Sequence, residues 1–554
     1  MLATLCILAT YPVLEMGTND DWSYIKTSFD IARTGHLIYN GWATAMLGWQ
    51  VYWGALFTKL FGFSFLTVRL SALPLAAASA YVLYQIFIWF GINTRNAVLG
   101  TLTLVLSPVF LPMAASFMTD IPGFLLILVS LYACLKAINA KKSQTELAWL
   151  AVATAVSVVG GTGRQIVWLG ALVMVPSTAW LLRRSKGVVA GSAVLWAGTL
   201  IAIFAVMHWY AQQPYAVPEK FADTRFNWRF VPTLLQQVRD ALLTMLLFVL
   251  PVLTAYLTAF RTVSKKLALG IFTIAVLVIA LRVHGTTLLL APWLPNMVTD
   301  YGVLGNGALE NLGTKPIVMG FSVRLALTLA VCIVGSIAAA SLFKRDPFAT
   351  PAKKLVPSWY VTAVLLVPFT LAYIALLTPR AIFFVTCDRY LIPLFAVALI
   401  PLLRFYQERV QERTPNFSFA VLALFTAYGV ASTHDYFATN RARLRAAENV
   451  RNSGVPRTSI QGGWEYDSWT QLETAGYVND WRIEQPPHAY RKIPLSKLPE
   501  PCRFWWSSFT PTVVPRYFVV FSPQACLARS SFAPVWYHTW LPPFERQIDV
   551  QQLP

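Results

Sequence analysis

The chain has 554 residues, 56% hydrophobic and only 12% charged, with a mean hydropathy of +0.55. That composition excludes a soluble globular domain and reads as a polytopic α-helical membrane protein. The formal charge of +19 is read as the excess of Lys and Arg in cytoplasmic loops and as affinity for anionic lipid headgroups. It is not read as a nucleic-acid surface, because few basic clusters lie outside short inter-helical loops. The 20 Trp, 22 Tyr and 35 Phe suit interfacial belts. The six His are scattered and show no ligand spacing, so a zinc site is not expected.

In chain order, the first apolar run is 1–16. Its first fourteen residues give about 21 Å of helix, against a hydrocarbon thickness of about 30 Å. It has no basic n-region, so no cleavable signal is expected; either a start further upstream explains its shortness, or Thr18 and Asn19 extend the helix and the membrane thins locally. The stretch 21–63 is too polar to span. Trp22, Ile25, Phe29 and Ile31 fit one amphipathic helix, and Leu47, Val51, Trp53, Leu56, Phe57 and Leu60 a second, with a break over 35–42. Such helices lie in the interface plane and frame a cavity there. Further apolar runs follow at 65–90, 97–115, 121–138, 147–159, 166–182, 188–210, 241–260, 267–291, 318–343, 359–377, 391–403 and 417–432. With the first run they make about 13 transmembrane helices, the short ones tilting or borrowing flanking residues. Residues 1–432 are thus the membrane domain.

Alternate loops carry the positive charge: Arg95; Lys141 and Lys142; Arg183, Arg184 and Lys186; Arg261, Lys265 and Lys266; Lys344, Arg345, Lys353 and Lys354; Arg404, Arg409 and Arg413. The positive-inside rule makes these cytoplasmic. The Asp20 loop, the Asp120 turn, the turn ending at Arg164 and the Asp388-Arg389 loop then share the outer face, together with the C-terminal segment. That segment, 433–554, has no spanning run. A helix-like stretch at 440–452 and strand-like stretches at 458–460, 517–521 and 535–540 predict a small soluble α/β domain. Its two cysteines, Cys502 and Cys526, are expected to pair in an oxidising compartment. Gly462-Gly463 reads as a turn.

Ionised carboxylates at a bilayer boundary cost several kcal/mol unless they face water or a partner, which makes them functional candidates. Asp20 and Asp21 lie in Gly17-Thr18-Asn19-Asp20-Asp21-Trp22-Ser23-Tyr24, and Asp120 heads another run in Thr119-Asp120-Ile121-Pro122. Each candidate has a purely structural rival: Asp120 as a helix N-cap with Pro122 in the first turn, Arg69 snorkelling to headgroups, Arg389 pairing with Asp388, Tyr24 as an interfacial anchor.

Asp20-Asp21-Trp22-Ser23-Tyr24, followed by Ala32-Arg33-Thr34-Gly35, resembles the Asp-Glu-x-x-Tyr motif of the first outer loop of GT-C glycosyltransferases. These polytopic enzymes take a sugar from a polyprenyl-phosphate carrier. The likeness is to the bacterial branch related to protein O-mannosyltransferases and the lipid A aminoarabinose transferase. Four further stretches agree: Val68-Arg69-Leu70-Ser71-Ala72-Leu73, Thr119-Asp120-Ile121-Pro122, the glycine-rich turn ending in Arg164-Gln165, and Asp388-Arg389-Tyr390-Leu391-Ile392-Pro393. Asp21 stands where the family often has Glu. The Trp-Trp-Asp signature of oligosaccharyltransferases is absent, since Ser507 follows Trp505-Trp506.

The resemblance implies a GT-C membrane fold and inverting sugar transfer to an acceptor hydroxyl. A sugar on a lipid phosphate already has a good leaving group, so transfer needs one base and positive charge for the released phosphate. By motif position Asp20 is the base, while Asp21 and Asp120 orient the acceptor, the sugar or a cation. Arg69, Arg164 and Arg389 are the candidate phosphate clamp, and Tyr24, Gln165 and Tyr390 the other substrate-binding residues. No cofactor is implied with certainty, and a divalent cation, Mg or Mn, is admitted. The expected acceptor is a glycolipid or cell-envelope polysaccharide, with protein Ser/Thr as the alternative. A lipid-linked glycan flippase or transporter is the rival from another class. The expected place is the inner (plasma) membrane, with the site and the C-terminal domain on the periplasmic or extracellular side.

Overall fold

A computed structural model describes residues 1–218, 230–280, 293–304, 311–343, 357–383, 386–493 and 498–554. Among them, eight helices are long and apolar enough to cross a membrane: Phe65–Trp89, Asp120–Ile138, Ser143–Gly163, Lys186–Ala211, Phe321–Leu342, Trp359–Ile382, Asp388–Arg409 and Asn416–Asn452. A ninth is obtained if Val231–Phe248 and Leu250–Ala259, bent by 68° at their junction, are one span. The expected count of thirteen is not reached among the described residues, and proline explains part of the difference, because it lacks an N–H and obstructs the preceding turn. Run 1–16 is helical only over Leu2–Ala9, ahead of Pro12. Run 97–115 breaks at Ser107-Pro108 into Thr94–Val105 and Phe110–Ala114. Run 166–182 passes through a 3-10 turn and a π turn before an α-helix opens at Val175-Pro176. Lys265–Ala280 has sixteen residues; the remainder of run 267–291, and Lys344, Arg345, Lys353 and Lys354, lie outside the described residues.

The two interfacial helices form where the amphipathic pattern places them, at Asp21–Thr34 and Gly48–Phe61. Their buried stripes include Trp22, Ile25 and Ile31, and Val51 and Ala55. The basic loops gather at one end of the bundle. Arg95 donates to the Thr414 carbonyl at 2.7 Å, the Asn93 backbone to Gln407 at 2.8 Å, and Ser185 to Ser143 at 3.0 Å. Asp20, Asp120, Arg164 and Arg389 gather at the other end.

The last span does not stop at residue 432. Asn416–Asn452 is one helix of 37 residues, roughly 55 Å long at about 1.5 Å per residue, so the expected boundary between residues 432 and 433 falls inside a rigid rod. The domain beyond it has the strand order Ile460–Gln461, Tyr517–Val520, Glu545–Gln552, Ala528–Arg529, with Val535–His538 also on Glu545–Gln552. The first two strands are parallel and joined through the helix Trp464–Ala475; the other pairings are antiparallel. Cys502 and Cys526 form a disulfide across a sequence separation of 24, which in the chain-entropy account stabilises the domain by roughly 3 kcal/mol.

This domain closes over the interfacial loops. Val478 donates to the Asn40 carbonyl at 2.8 Å, Gly41 to that of Tyr215 at 2.9 Å, and Tyr215 to that of Gln485 at 2.6 Å. Gly41 has φ +83, and a Cβ there would lie 2.5 Å from the Val478 carbonyl oxygen, so only glycine allows the approach.

Beneath lies a buried knot. Arg69 Nε donates to Asp21 Oδ2 at 3.0 Å, Nη1 to the Leu14 carbonyl at 2.7 Å and Nη2 to that of Met16. Asp21 also accepts from the Thr18 backbone at 2.7 Å, the Thr18 hydroxyl at 2.6 Å and the Phe117 backbone at 3.3 Å. Removing one partner of a buried pair leaves an uncompensated charge, so Arg69→Ala should destabilise by roughly 3–5 kcal/mol in a denaturant titration. A change within about 0.5 kcal/mol, the range of ordinary surface substitutions, would contradict that role.

Sidedness is open to impermeant thiol labelling in a background with Cys6 and Cys387 replaced by serine. Lys265, Pro295 and Ala475 are all exposed. The expected result is external labelling of Pro295→Cys and Ala475→Cys and none of Lys265→Cys; labelling of all three from one side would refute the two-ended arrangement.

Candidate active site

Asp20 occupies the N-cap position of the helix Asp21–Thr34 but caps nothing with its side chain. Its Oδ1 instead accepts two indole N–H groups, from Trp42 at 3.0 Å and from Trp464 of the C-terminal domain at 3.4 Å. The rings around it touch one another: Trp22 and Trp42 centroids are 6.0 Å apart, Trp22 and Trp464 5.3 Å, Trp42 and Trp464 4.7 Å. Burial among these rings pushes the Asp20 carboxyl above the usual carboxylate range. The charge of Arg389 and the two indole donors pull the other way, and Asp21 adds to the upward push. Asp21, one residue on, points into the knot and is fully buried. Arg69 goes with it: its guanidinium is engaged by Asp21 and two carbonyls, which removes it from the expected phosphate clamp.

Asp120 sits in the first turn of its helix, with Thr119 rather than Asp120 at the N-cap. Its oxygens lie 2.9 Å from Arg164 Nη1 and 3.7 Å from Arg389 Nη1. Neither contact has hydrogen-bond geometry, and Arg389 Nε and Nη1 make no hydrogen bond among the described residues. The pairing is Coulombic, and the donors are not saturated. Arg164 fits against Gly123, where a Cβ would meet its side chain at 2.9 Å. Asp388 does not pair with the Arg389 guanidinium. It accepts the backbone N–H groups of Met297, Val298 and Arg389 at 2.9, 2.8 and 2.7 Å, which fixes the turn that presents Arg389 and Tyr390. The Tyr390 ring has three guanidiniums over it: Arg164 at 5.5 Å, Arg380 at 4.9 Å and Arg389 at 5.4 Å. Arg164, Arg380 and Arg389 around this ring, with Asp120 against two of them, make a cation-rich cluster that attracts anions.

Tyr24 is close enough to both this cluster and Asp20 to feel their charges. Burial, with the charges of Asp20 and Asp120, pushes its phenol well up, against the pull of Arg389 and Arg164, so it stays neutral and able to donate. Gln165 donates to the Thr44 carbonyl at 3.1 Å and so holds the loop between the interfacial helices.

From the cluster an apolar cleft of about 550 Å³ runs along Trp359–Phe383, lined from Trp359 and Pro401 at one end to Ala381, Thr386 and Leu391 at the other. The lined stretch of that helix is about 33 Å long at about 1.5 Å per residue, close to the hydrocarbon thickness of about 30 Å. The residues at its far end flank Arg380, Arg389 and Tyr390 in sequence.

Among the described residues the donor set does not fit a divalent cation. Asp21 is closed by Arg69, Asp120 is bracketed by two arginines, and among the described residues no three His, Cys, Asp or Glu converge. Three residues of the site were not anticipated from sequence. Arg380 stands just past the apolar run 359–377 and was the one readable signal; Trp42 and Trp464 carry no motif and meet Asp20 only through tertiary packing.

No family model matches the chain, and no curated protein does. Among solved structures it is similar to ArnT from Cupriavidus metallidurans bound to undecaprenyl phosphate, at 14% identity and a TM-score of 0.38, over 83% of this chain and 80% of that one. It is also similar to the oligosaccharyltransferase AglB from Archaeoglobus fulgidus in complex with an inhibitory peptide and a dolichol-phosphate, at 14% and 0.38, over 93% of this chain and 63% of that one. A third is the arabinosyltransferase EmbB from Mycobacterium smegmatis, at 12% and 0.34, over 86% of this chain and 42% of that one. The chain thus spans less than two thirds of AglB and less than half of EmbB. At such TM-scores the likeness settles no activity, which rests on the residues.

Proposed function

We propose that the chain is an inverting GT-C glycosyltransferase that moves a sugar from a polyprenyl-phosphate carrier to an acceptor hydroxyl at the outer face of the membrane. The acceptor we favour is a glycolipid or cell-envelope polysaccharide. One observation carries the reading: a half-open carboxylate, Asp20, stands beside an arginine cluster, and that cluster lies at the end of an apolar cleft about as long as a leaflet pair is thick. A lipid phosphate needs an apolar run for its chain and cations for its head, together in one place.

In this reading the carrier chain lies in the cleft and its phosphate meets Arg389 and Arg164. The acceptor oxygen attacks the anomeric carbon as the bond from that carbon to the phosphate oxygen breaks. The acceptor proton passes to Asp20, and the charge left on the phosphate is held by the guanidiniums. Attack opposite the leaving group inverts the anomeric centre. Tyr24 is placed to donate a hydrogen bond to sugar or phosphate. Asp120 holds Arg164 and Arg389 in position, and Asp21 with Arg69 holds the start of the helix that carries Asp20. No step calls for a cation.

Asp20→Asn, nearly isosteric but unable to take the proton, should lower turnover by roughly 10²–10⁴-fold while the protein stays folded. Mass spectrometry of envelope glycans from cells lacking the gene, complemented with wild type or with Asp20→Asn, reads this directly. Full complementation by Asp20→Asn would remove the base role and favour a flippase, which needs no proton acceptor. Because Asp20 is ionised when it acts and its carboxyl is held up, kcat/KM should fall as pH drops through a value above the ordinary carboxylate range of about 4.

Arg389→Gln removes a charge from the developing phosphate and should lower kcat/KM by roughly 10²–10³-fold. An unchanged kcat/KM would place the phosphate elsewhere.

A further inference from the structure

Asp20 accepts hydrogen bonds at one oxygen only. Both indole donors, Trp42 and Trp464, converge on Oδ1, and among the described residues Oδ2 accepts none. Trp42 belongs to the loop between the interfacial helices, whereas Trp464 arrives from the far side of the chain, 444 residues away, on the first turn of the helix Trp464–Ala475.

That first turn is held from two sides. The Gly462 backbone donates to Asp467 Oδ1 at 2.8 Å, and the Trp506 indole to Oδ2 at 2.8 Å. Arg443, on the last membrane helix, pairs with Glu465 at 2.9 Å and donates to the Gly462 carbonyl at 3.2 Å. Gly463 at φ +101 turns the chain into the helix, and the Trp464 ring packs on Trp22, Trp42 and Trp505. A side chain fixed at base and ring has little freedom to leave the carboxylate it touches.

We propose that Trp464, supplied by the C-terminal domain, is a positioning residue for Asp20: with Trp42 it ties down Oδ1 and leaves Oδ2 alone to receive the acceptor proton. The proposal rests on Asp20 being the base. It gives the C-terminal domain a place in the site, because an undocked domain would withdraw one of the two donors. A carboxylate held at one oxygen cannot rotate to present either oxygen, which fixes the line of proton transfer. The donors also favour the ionised form over the neutral one, against the burial that disfavours it. The other charged and titratable groups acting on Asp20 are Asp21 and Arg389, with Tyr24 on the next helical turn. None of them is altered by the substitutions below.

The test uses the full-length chain in lipid nanodiscs and needs no substrate. The protonated-carboxyl stretch of Asp20, assigned by its loss in Asp20→Asn, is followed by infrared difference spectroscopy against pH. Trp464→Phe keeps an aromatic ring and removes the N–H, and should move the Asp20 midpoint to more alkaline pH by about one pH unit. Trp42→Phe, at the shorter distance, should move it at least as far. A merely structural role for Trp464 would leave the midpoint in place. Should Trp464→Phe fail to fold, benzothienylalanine introduced at 464 replaces the indole N–H with sulfur at nearly the same ring size and gives the same reading. An unmoved midpoint in a folded protein overturns the proposal. Glycan analysis of Asp20→Asn separates the two layers. If that variant is inactive and the midpoint is unmoved, the positioning role falls and the base stands. If it transfers sugar normally, the base falls and Trp464 loses its place in catalysis with it.

Discussion

The buried pair of Arg69 and Asp21 is the constraint on which the acidic end of the bundle depends. The two side chains are 2% and 0% exposed, and an ion left alone there would cost several kcal/mol. The cost is offset because every strong acceptor and donor nearby is recruited: carbonyls of Leu14 and Met16, both donors of Thr18, and the backbone N–H of Phe117. Those contacts join the segment after the first helix, the first long span and the break at residue 117 into one body. The chain must then enter the helix Asp21–Thr34 at a fixed angle, and Asp20, next to Asp21 but on the other side of the backbone, is turned toward the tryptophans. Two adjacent acids of identical chemistry acquire opposite fates from a single arginine.

The same sorting extends to Asp20, Asp21, Asp120 and Asp388. Asp21 accepts four hydrogen bonds and Asp388 three, and both are fully buried; such carboxylates hold structure and have nothing left to offer a substrate. Asp120 faces two guanidiniums without hydrogen-bonding either, so it balances charge and leaves their donors available. Asp20 accepts two indole N–H groups at Oδ1, and among the described residues its Oδ2 accepts none. Hydrogen-bond saturation separates Asp21 and Asp388, which are filled, from Asp20 and Asp120, which are not.

This separation was invisible in the sequence, and the reason is physical. The pattern of apolar and polar positions is a property of neighbours along the chain, so it located the two interfacial helices to within a few residues and placed Asp20, Asp120, Arg164 and Arg389 at a common end. The partner of a given carboxylate is a property of packing: Arg69 is 48 residues from Asp21, and Trp464 is 444 from Asp20. Run length in an apolar stretch likewise ignores where proline interrupts it, which is why Pro12 and Pro108 turned expected spans into short helices. The helix Asn416–Asn452 is the opposite case: hydropathy drops at residue 432 while the helix continues unbroken across it, because helix continuity depends on backbone hydrogen bonds and not on side-chain polarity.

The arginine cluster shows what the protein gives up for its site. A buried donor without a partner costs about 1–3 kcal/mol, more when it is charged, and among the described residues Arg389 has two, at Nε and Nη1. A fold selected for stability alone would close them, as it has closed Arg69 with three acceptors within the same end of the bundle. The open donors persist because the surrounding turn is fixed independently, through Asp388 to three backbone N–H groups and through the Tyr373 hydroxyl to the Tyr390 carbonyl at 2.6 Å. The cluster cannot relax toward a nearby carbonyl. Preorganised donors of this kind are worth most where charge develops during a reaction, since no reorganisation remains to be done at that moment. An anion delivered along an apolar cleft would meet cations whose desolvation was completed on folding, and its charge would complete what Asp120 begins.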